Sequence, residues 1–324
     1  MKQYLVFGLI FAIAVVLLIV AEVPSKDDFS PDNPLFNGLS QASKIADIQT
    51  VTIGSLGSLP PNSTLFIIGP DKAFTENQAD EIRGFLERGG SVVVMDDFGT
   101  ANSLLMMLGV NTRLNGSLLV DPLYMYRNPA LPLVRFNLKG EEMNVYFNYA
   151  TVLEGTDDGK CIAYSSPFSF LDLNGNGKKD PEEPYGPFCV AESLKNFQGR
   201  LIVISDSSVF INSMLDKGDN ERLLDALVGN GRAFLLTGLW NQSEYTLIRS
   251  SISGGFSALM NTWLLYPFAL ALLFVGMEVG SILYIHLQMK SRKGYSQEDI
   301  EAILRRHPEW KREEIEELLE EMKK

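Results

Sequence analysis

The sequence predicts an α/β domain with a parallel sheet of the flavodoxin or amidotransferase type and a β-rich insertion. It also predicts two flanking transmembrane helices and a short helical tail. Three observations lead to this prediction. Two apolar segments lie near opposite ends of the chain. Between them, apolar runs typical of buried strands alternate with segments of helical periodicity. After the second apolar segment, apolar residues recur at helical spacing.

The two apolar segments predict membrane spans. Residues 4–21 are all apolar except Gly8, and residues 263–287 contain one charge, Glu278. Each segment has the length of a helix that crosses a bilayer. We therefore predict an N-terminal anchor at 1–22 and a second span at 261–289. A cleaved signal peptide is the alternative for the first segment, but Ala21-Glu22-Val23 makes a poor cleavage site.

Basic residues near these spans predict the orientation of the chain. Four lie outside the spans and two on the side of the central segment: Lys2, Lys290, Arg292 and Lys293 against Lys26 and Arg249. Because cytoplasmic flanks retain Lys and Arg, a two-pass protein of the cell membrane is expected, with both termini in the cytoplasm. Residues 23–260 are then extracytoplasmic, and residues 290–324 form the cytoplasmic tail.

The central segment predicts strands that alternate with helices. Residues 48–53 and 64–68 have strand composition, and Thr75 begins a helix that ends at Gly89-Gly90. The run 91–95 is apolar throughout, as in strands buried on both faces, and 100–108 has helical spacing. The pattern resumes with a strand at 201–204, helices at 209–215 and 220–228, and a strand at 233–236. Residues 111–195 lose the helical period and are predicted to form a β-rich insertion.

Two stretches of this segment carry a family resemblance. The first is Ile67-Ile68-Gly69-Pro70, the helix end Phe85-Leu86-Glu87-Arg88-Gly89-Gly90 and the strand Ser91-Val92-Val93-Val94. The second is Gly199-Arg200-Leu201-Ile202-Val203-Ile204-Ser205-Asp206-Ser207-Ser208-Val209-Phe210, followed by Asp219-Asn220. Together they resemble the domain-of-unknown-function family DUF4350, a group of membrane-anchored prokaryotic proteins. The resemblance covers most of the central segment outside 111–195. It departs from the family at 236–240, where members often end the last strand in an acidic motif.

The resemblance implies a fold similar to class I glutamine amidotransferases and to an auxiliary domain of certain ABC transport systems. The amidotransferase nucleophile and its base are missing from this sequence. It further implies a partner in a membrane complex with an ATPase or an ABC-type transport system.

Composition excludes several functions of the central segment. The chain has a net charge of −12, which disfavours nucleic acid as a partner because nucleic-acid binding relies on neutralising phosphates. Its two histidines, His286 and His307, lie outside residues 23–260. Ser-His-Asp catalysis, Cys-His catalysis and His-ligated zinc are therefore excluded there. Three aspartates remain as candidates: Asp96, Asp97 and Asp206 follow predicted parallel strands, where α/β folds bind ligands. Alternatively, they cap the helices that follow.

Residues 172–183 match the spacing of an EF-hand calcium loop. The oxygen ligands would come from Asp172, Asn174, Asn176, the Lys178 carbonyl, Asp180 and Glu183. Lysines and Asn in place of Asp indicate a weak, structural site for Ca²⁺, with a dissociation constant of about 10⁻⁴ M or weaker. The alternative is a tight Asn-Gly turn without metal. Cys161 and Cys189 flank this loop, and a disulfide between them is predicted, with two buried free thiols as the alternative.

The second span and the tail predict association. Gly276 and Gly280 form a GxxxG pattern that allows close helix packing, and Glu278 lies on the opposite face. A membrane protein partner or self-association through this span is expected. Two short amphipathic helices follow, around Ile300 and Ile315, which either pair with each other or dock on a cytoplasmic partner.

These observations lead to two functional hypotheses. The first is a membrane-anchored, non-catalytic, extracytoplasmic binding or scaffold protein. The second is an extracytoplasmic carboxylate- or metal-dependent hydrolase that uses Asp96, Asp97 and Asp206. The absence of histidine from residues 23–260 favours the first hypothesis.

Overall fold

The computed structural model describes residues 8, 12, 15–17, 19–20, 22–156, 159–260, 263, 265–291 and 297–321. The chain divides into two compact units. One is Ala21–Ser250, and the other combines Met1–Val20 with Ser251–Lys324.

In the described residues, the strands and helices are numbered in chain order. Strands β1 to β14 are Gln49–Val51, Thr64–Ile68, Ser91–Met95, Arg113–Leu114, Leu118–Val120, Met125–Tyr126, Asn128–Leu138, Glu141–Tyr146, Leu153–Glu154, Gly159–Tyr164, Phe170–Asp172, Cys189–Leu194, Arg200–Ile204 and Ala233–Leu236. Helices α1 to α8 are Ser40–Ile45, Glu76–Glu87, Asn102–Met107, Asn220–Val228, Glu244–Met260, Leu265–Ser291, Gln297–Arg306 and Arg312–Glu321. A 3-10 helix covers Ile53–Ser58. The helix predicted at 209–215 is instead a series of turns.

A ten-stranded mixed sheet forms the centre of the unit Ala21–Ser250. Its order is β1-β14-β2-β3-β13-β12-β10-β7-β6, with β8 also paired to β7. The strands from β1 to β13 in this order are parallel, and those from β12 onward pair antiparallel. The prediction of a parallel sheet with a separate β-rich insertion is therefore corrected. The long strands of residues 111–195 continue the same sheet, because a short connection after β12 folds it back on β13 as a hairpin.

The parallel strands are buried on both faces. In β2, Phe66 and Ile68 belong to one apolar cluster, and Leu65 and Ile67 to the other. Because side chains alternate between the faces of a strand, both sets need an apolar covering. This double burial explains why the strand sequences are continuous apolar runs.

Helix α2 covers one of these faces. Thr75 begins it with a capping box, in which Gln78 N donates to Thr75 Oγ1 and Thr75 N donates to Gln78 Oε1. Its residues Ala79, Ile82 and Phe85 are buried. The predicted start and apolar face of this helix are confirmed.

The predicted transmembrane helices are corrected by the structure. A helix that crosses the hydrocarbon core needs about 20 consecutive, predominantly apolar residues. Of the helices formed by the described residues, none is long and apolar enough to cross a membrane. The spans at 1–22 and 261–289, and the two-pass localisation in the cell membrane, are wrong on this finding. Residues 1–7, 9–11, 13–14, 18, 21, 261–262 and 264 of these segments lie outside the described residues.

The predicted packing faces of the second span lie on α6. Gly276, Glu278 and Gly280 are exposed there, and Ser281 Oγ donates to the Glu278 carbonyl oxygen at 2.9 Å. Their predicted role was packing within a membrane span, which the structure does not support.

Helices α7 and α8 contact each other. Ile300 on α7 and Ile315 on α8 are both buried, so the tail helices pair through the apolar faces that their sequences predict. The rings of His307 and Trp310, between the two helices, stack with centroids 4.7 Å apart.

Candidate ligand-binding site at the carboxyl ends of the parallel strands

Three buried carboxyl groups lie at one edge of the parallel strands. Asp96 and Asp97 follow β3 directly, and Asp206 lies two residues beyond β13. Since β3 and β13 are parallel neighbours with Met95 opposite Ile204, their carboxyl ends meet at the same edge. Asp96, Asp97 and Asp206 are 2%, 7% and 0% exposed, so each must find polar partners within the protein.

The first carboxyl group closes the turn that follows its own strand. Asp96 Oδ1 accepts from Phe98 N at 3.1 Å, and Asp96 Oδ2 accepts from Ala101 N at 2.8 Å. The side chain thereby holds the turn that leads into α3. It is not a helix cap in the strict sense, because Ala101, the N-cap residue of α3, makes no side-chain cap hydrogen bond.

The other two carboxyl groups join segments that are distant in the sequence. Asp206 Oδ2 accepts from Asn148 N at 2.5 Å, and Asp206 Oδ1 accepts from Ser208 N at 2.6 Å. Asp97 accepts from Ser207 twice, through the backbone N–H and, at 2.7 Å, through the Ser207 hydroxyl. The segments after β3, β8 and β13 are tied together by these bonds.

Burial makes these groups hard to ionise. Burial, with a smaller contribution from the charge of Asp96, raises the pKa of Asp97 to about 7 against the opposing hydrogen bonds from Ser207. Burial, and then the charge of Asp97, raises the pKa of Asp206 well above its ordinary value. The pKa of Asp96 is also raised by burial, although backbone hydrogen bonds lower it.

A pocket of about 640 Å³ lies over this cluster. Its walls come from the segments after β2, β3, β8, β13 and β14, together with residues 26–29. Nine of its 19 lining residues are aromatic or carry a carboxylate: Asp27, Asp28, Phe29, Asp71, Asp96, Asp97, Phe98, Tyr149 and Trp240. A pocket of this volume has the size of a small-molecule site.

The structure brings the three predicted aspartates together and adds residues that the sequence analysis missed. Ser207 could have been predicted from the sequence, because it follows Asp206 at the end of a predicted strand. Phe98, Tyr149 and Trp240 lie in loops without a motif, and the resemblance singled out the segment containing Trp240 only as a departure from the family.

Comparison with protein families identifies the chain. The family model described as "Domain of unknown function (DUF4350)" matches residues 31–228, which is more than half of the sequence. The chain belongs to the DUF4350 family. The match includes β2, β3, β13 and the three aspartates, so the candidate site lies mostly within the family domain. Trp240 lies beyond its end.

No curated protein matches this DUF4350 chain. Among solved structures, the mmIFT52 N-terminal domain is similar at 18% identity, over 55% of this chain and 79% of that one, with a TM-score of 0.43. A β-galactosidase from the Antarctic haloarchaeon Halorubrum lacusprofundi is similar at 13% identity, over 61% of this chain and 27% of that one, with a TM-score of 0.31. Gan42B, a GH42 β-galactosidase, is similar at 12% identity, over 61% of this chain and 26% of that one, with a TM-score of 0.32. These likenesses are too low to bear on function.

The predicted disulfide of the DUF4350 chain is present. Cys161 on β10 and Cys189 on β12 are bonded, with their Cα atoms 5.9 Å apart. The alternative of two free thiols is therefore wrong. The bond closes a loop that contains the predicted calcium loop, and in the chain-entropy model it contributes on the order of 3 kcal/mol.

The predicted calcium loop is folded around its own side chains. Asp172 accepts from the backbone N–H groups of Gly175, Asn176 and Gly177, and Glu183 accepts from Leu173 N and Asp180 N.

The amide nitrogens of Asn174 and Asn176 both donate to Asp180 Oδ2, at 2.7 and 2.8 Å. These bonds lower the pKa of Asp180. In the part of the chain that the structure describes, no group of three or more His, Cys, Asp or Glu side chains is arranged to hold a metal ion. The calcium site therefore remains a prediction.

Calcium is expected to raise the melting temperature of the full chain. A ligand that binds only the native state stabilises it by RT ln(1 + [L]/Kd). With the predicted Kd of about 10⁻⁴ M, calcium at about 10 mM would add roughly 2.7 kcal/mol. Glu183→Gln should abolish the response, whereas Glu182→Gln, an exposed neighbour outside the ligand pattern, should leave it unchanged. Identical thermal melts in calcium and in chelator would rule out the site.

Proposed function

We propose that this DUF4350 protein is a non-catalytic binding protein, and that its ligand occupies the pocket at the carboxyl ends of β2, β3, β13 and β14. One observation carries the proposal. Asp96 and Asp97, which line the pocket, and Asp206 beside them accept hydrogen bonds from the protein on both oxygens of each carboxyl group. They position the loops that form the walls.

The hydrolase hypothesis has one observation in its favour. The Ser207 hydroxyl lies 2.7 Å from Asp97 Oδ2, and burial raises the pKa of Asp97 to about 7, which is suitable for a general base. However, Ser207 also donates its backbone N–H to the other oxygen of Asp97, and the side chain is only 3% exposed. A serine held in this way is poorly placed to reach a substrate carbonyl. The binding hypothesis therefore has more support.

An activity screen of the full chain separates the two hypotheses. Chromogenic esters, amides, phosphoesters and glycosides would be tested with the wild type, Ser207→Ala and Asp97→Asn. We expect no turnover that either substitution removes. Hydrolysis abolished by Ser207→Ala or Asp97→Asn, in a protein that still folds by circular dichroism, would refute the binding proposal.

Three further elements of the proposal rest on the sequence and the family alone. They are the structural calcium ion, a fold similar to class I glutamine amidotransferases, and association with an ATPase or an ABC-type transport system. The tail helices α7 and α8 offer a surface for such a partner, because Leu318 on α8 is 54% exposed although its neighbour Ile315 is buried. Co-purification of the full chain, compared with a chain that ends before α7, would test this association.

A further inference from the structure

The pocket over the three aspartates is acidic at its rim as well as at its base. Its exposed or half-buried charged side chains are three carboxylates, Asp27, Asp28 and Asp71, against one cation, Lys26. A rim of this composition attracts cations and repels anions.

The rim carboxylates are held in place by the protein. Asp71 Oδ2 accepts from Asn241 N at 3.1 Å, Asp27 Oδ2 accepts from Ser243 N at 3.3 Å, and Asp28 Oδ1 accepts from the Asn37 amide. Positions fixed in this way keep the negative charge around the opening of the pocket. A ligand would therefore meet a preformed acidic rim.

Aromatic side chains also line this pocket, and two of them expose their rings to solvent. Phe98 is 85% exposed and Tyr149 is 56% exposed, although both line the cavity. Trp240 is anchored by a hydrogen bond of 2.8 Å from its Nε1 to the Ile68 carbonyl oxygen. The faces of such rings attract cations, and a Trp face attracts them most strongly.

The backbone around these rings adopts conformations that bulky residues avoid. Phe29 and Tyr149, both in the pocket lining, have φ angles of +55°. Gly69, in the same lining, has φ +52°, and a Cβ added there would lie 2.5 Å from the Phe29 ring. Left-handed conformations of non-glycine aromatic residues are uncommon and strained, and such strain is found at ligand sites. The pocket holds two of them.

A metal ion is a poor occupant for this pocket. Within the described ranges, no three His, Cys, Asp or Glu side chains converge as metal ligands. The carboxylates of this pocket are instead spread around exposed aromatic rings. This arrangement suits an organic cation, whose charge is distributed over several atoms.

We propose that this pocket binds an organic cation, an ammonium or guanidinium group on an aliphatic chain. The charged group lies on the faces of Phe98, Tyr149 and Trp240 and is neutralised by the rim carboxylates. This inference rests on the proposed binding function and names its ligand class. A free small molecule and the side chain of a basic peptide share this chemistry.

Calorimetric titration of the full chain tests the charge of the ligand. The probes are argininamide, spermidine and choline, with citrullinamide as a neutral analogue of nearly the same shape as argininamide. Both amides carry an acetyl group on the α-nitrogen, so that the guanidinium is the only charge that distinguishes them. We expect at least one cation to bind, and argininamide to bind about tenfold or more tightly than citrullinamide. Equal affinity for the two amides, or no binding of any of the three cations, would overturn the inference. The tripeptide Ala-Arg-Ala then identifies the source, since tighter binding than argininamide indicates a peptide and weaker binding a free small molecule.

Charge-removing substitutions locate the site. The triple variant Asp27→Asn, Asp28→Asn and Asp71→Asn keeps the hydrogen-bond acceptors and should weaken cation binding about tenfold. The matched control removes three carboxylates outside the pocket, through Asp80→Asn, Asp216→Asn and Asp225→Asn. An equal loss of affinity in both triple variants would mean that only the net charge of the chain matters, which contradicts the inference.

Substitutions of the rings provide an independent readout. Phe98→Ala should weaken binding severalfold, whereas Phe36→Ala, which removes a ring that is 71% exposed outside the pocket, should not. Tyr149→Gly relieves the strained φ angle, so the melting temperature should not fall, but cation affinity should. Tyr149→Phe keeps the ring and should keep the affinity. Unchanged affinity in Phe98→Ala and Tyr149→Gly would refute the assignment of the rings.

Failure of this inference can be distinguished from failure of the proposed function. If citrullinamide or another neutral ligand binds as tightly as the cations, and Phe98→Ala removes that binding, the pocket is a binding site for another class of ligand. If the activity screen finds hydrolysis that depends on Ser207, the proposed function itself fails.

Discussion

Asn220→Leu is expected to destabilise the α/β unit by on the order of 4 kcal/mol, because Asn220 joins three segments inside the core. It is the first residue of α4 and is completely buried. Its Nδ2 donates to the carbonyl oxygens of Tyr146, Val209 and Met214 at 3.0 to 3.1 Å. Its Oδ1 accepts from Tyr146 N at 2.9 Å.

Leucine has nearly the same volume but would remove the partner of the Tyr146 N–H and of the Tyr146 and Val209 carbonyl oxygens. The Met214 carbonyl oxygen would still accept from Lys217 N at 3.0 Å. Each buried, unsatisfied polar group costs about 1–3 kcal/mol. Part of that cost is offset by the transfer of an apolar side chain into the core. The N–H of Tyr146 lies at the edge of β8 that faces residues 218–220, so the substitution removes one of the bonds that cover this strand edge.

Urea denaturation of the wild type and the variant would measure the change. The matched control is Asn230→Leu, the same substitution at an exposed position just beyond α4. We expect the control to change the unfolding free energy by less than about 0.5 kcal/mol. A loss for Asn220→Leu as small as that of the control would show that the four hydrogen bonds add nothing net to stability.

The parts of the fold that the sequence predicts correctly depend on local signals. Helix α2 is an example: the Thr75 capping box and the apolar spacing of Ala79, Ile82 and Phe85 act within one helix, so both can be read from neighbouring residues. The buried strands β2, β3, β13 and β14 are similarly local, because burial on both faces requires an apolar side chain at nearly every position.

The continuation of the sheet through residues 111–195 is not a local property. Unlike β13, strand β12 is not a continuous apolar run, and it carries Glu192, a completely buried acid, so its sequence does not resemble a central strand. Its antiparallel pairing with β13 on one side, from Ala191 opposite Ile204 to Leu194 opposite Leu201, and with β10 on the other places it inside the sheet. Pairing partners of this kind are set by the whole chain and not by the strand itself.

The candidate site also combines residues that local sequence predicts with residues whose positions depend on the whole fold. Asp96, Asp97 and Asp206 could be placed at one sheet edge, because each follows a parallel strand at its carboxyl end. The aromatic walls could not be placed there. Tyr149 and Trp240 are 91 positions apart in the sequence, and each reaches the pocket through a loop whose course depends on packing elsewhere. A helical or strand period carries no information about such loops.

Asp97→Asn is expected to stabilise the protein at pH 8 and to leave its stability at pH 4 nearly unchanged. Burial raises the pKa of Asp97 from an ordinary value of about 3.9 to about 7 in the folded state. Between these two values the folded state binds more protons than the unfolded state. The wild type therefore loses stability as the pH rises through this window, and the loss is complete above the folded pKa.

Asparagine reproduces the protonated form of this side chain. In that form the Asp97 hydroxyl donates to Ser207 Oγ, which lies 2.7 Å from Oδ2, and Oδ1 still accepts from Ser207 N. An asparagine with its Nδ2 in place of Oδ2 makes both bonds without a charge. Since about three pKa units correspond to about 4 kcal/mol, this figure is the upper limit of the gain at pH 8. The substitution also removes a charge that raises the pKa of Asp206, which acts in the same direction.

Urea denaturation at several pH values between 4 and 8 would measure the difference between variant and wild type. Comparing the two proteins cancels the pH dependence of every other group that the substitution leaves unchanged. Asp225→Asn, at an exposed position on α4, is the matched control and should give a difference that does not vary with pH over this range. If Asp97→Asn also gives a constant difference, Asp97 ionises at its ordinary pKa. Asp97 would then carry a negative charge at neutral pH, because burial would not have suppressed its ionisation.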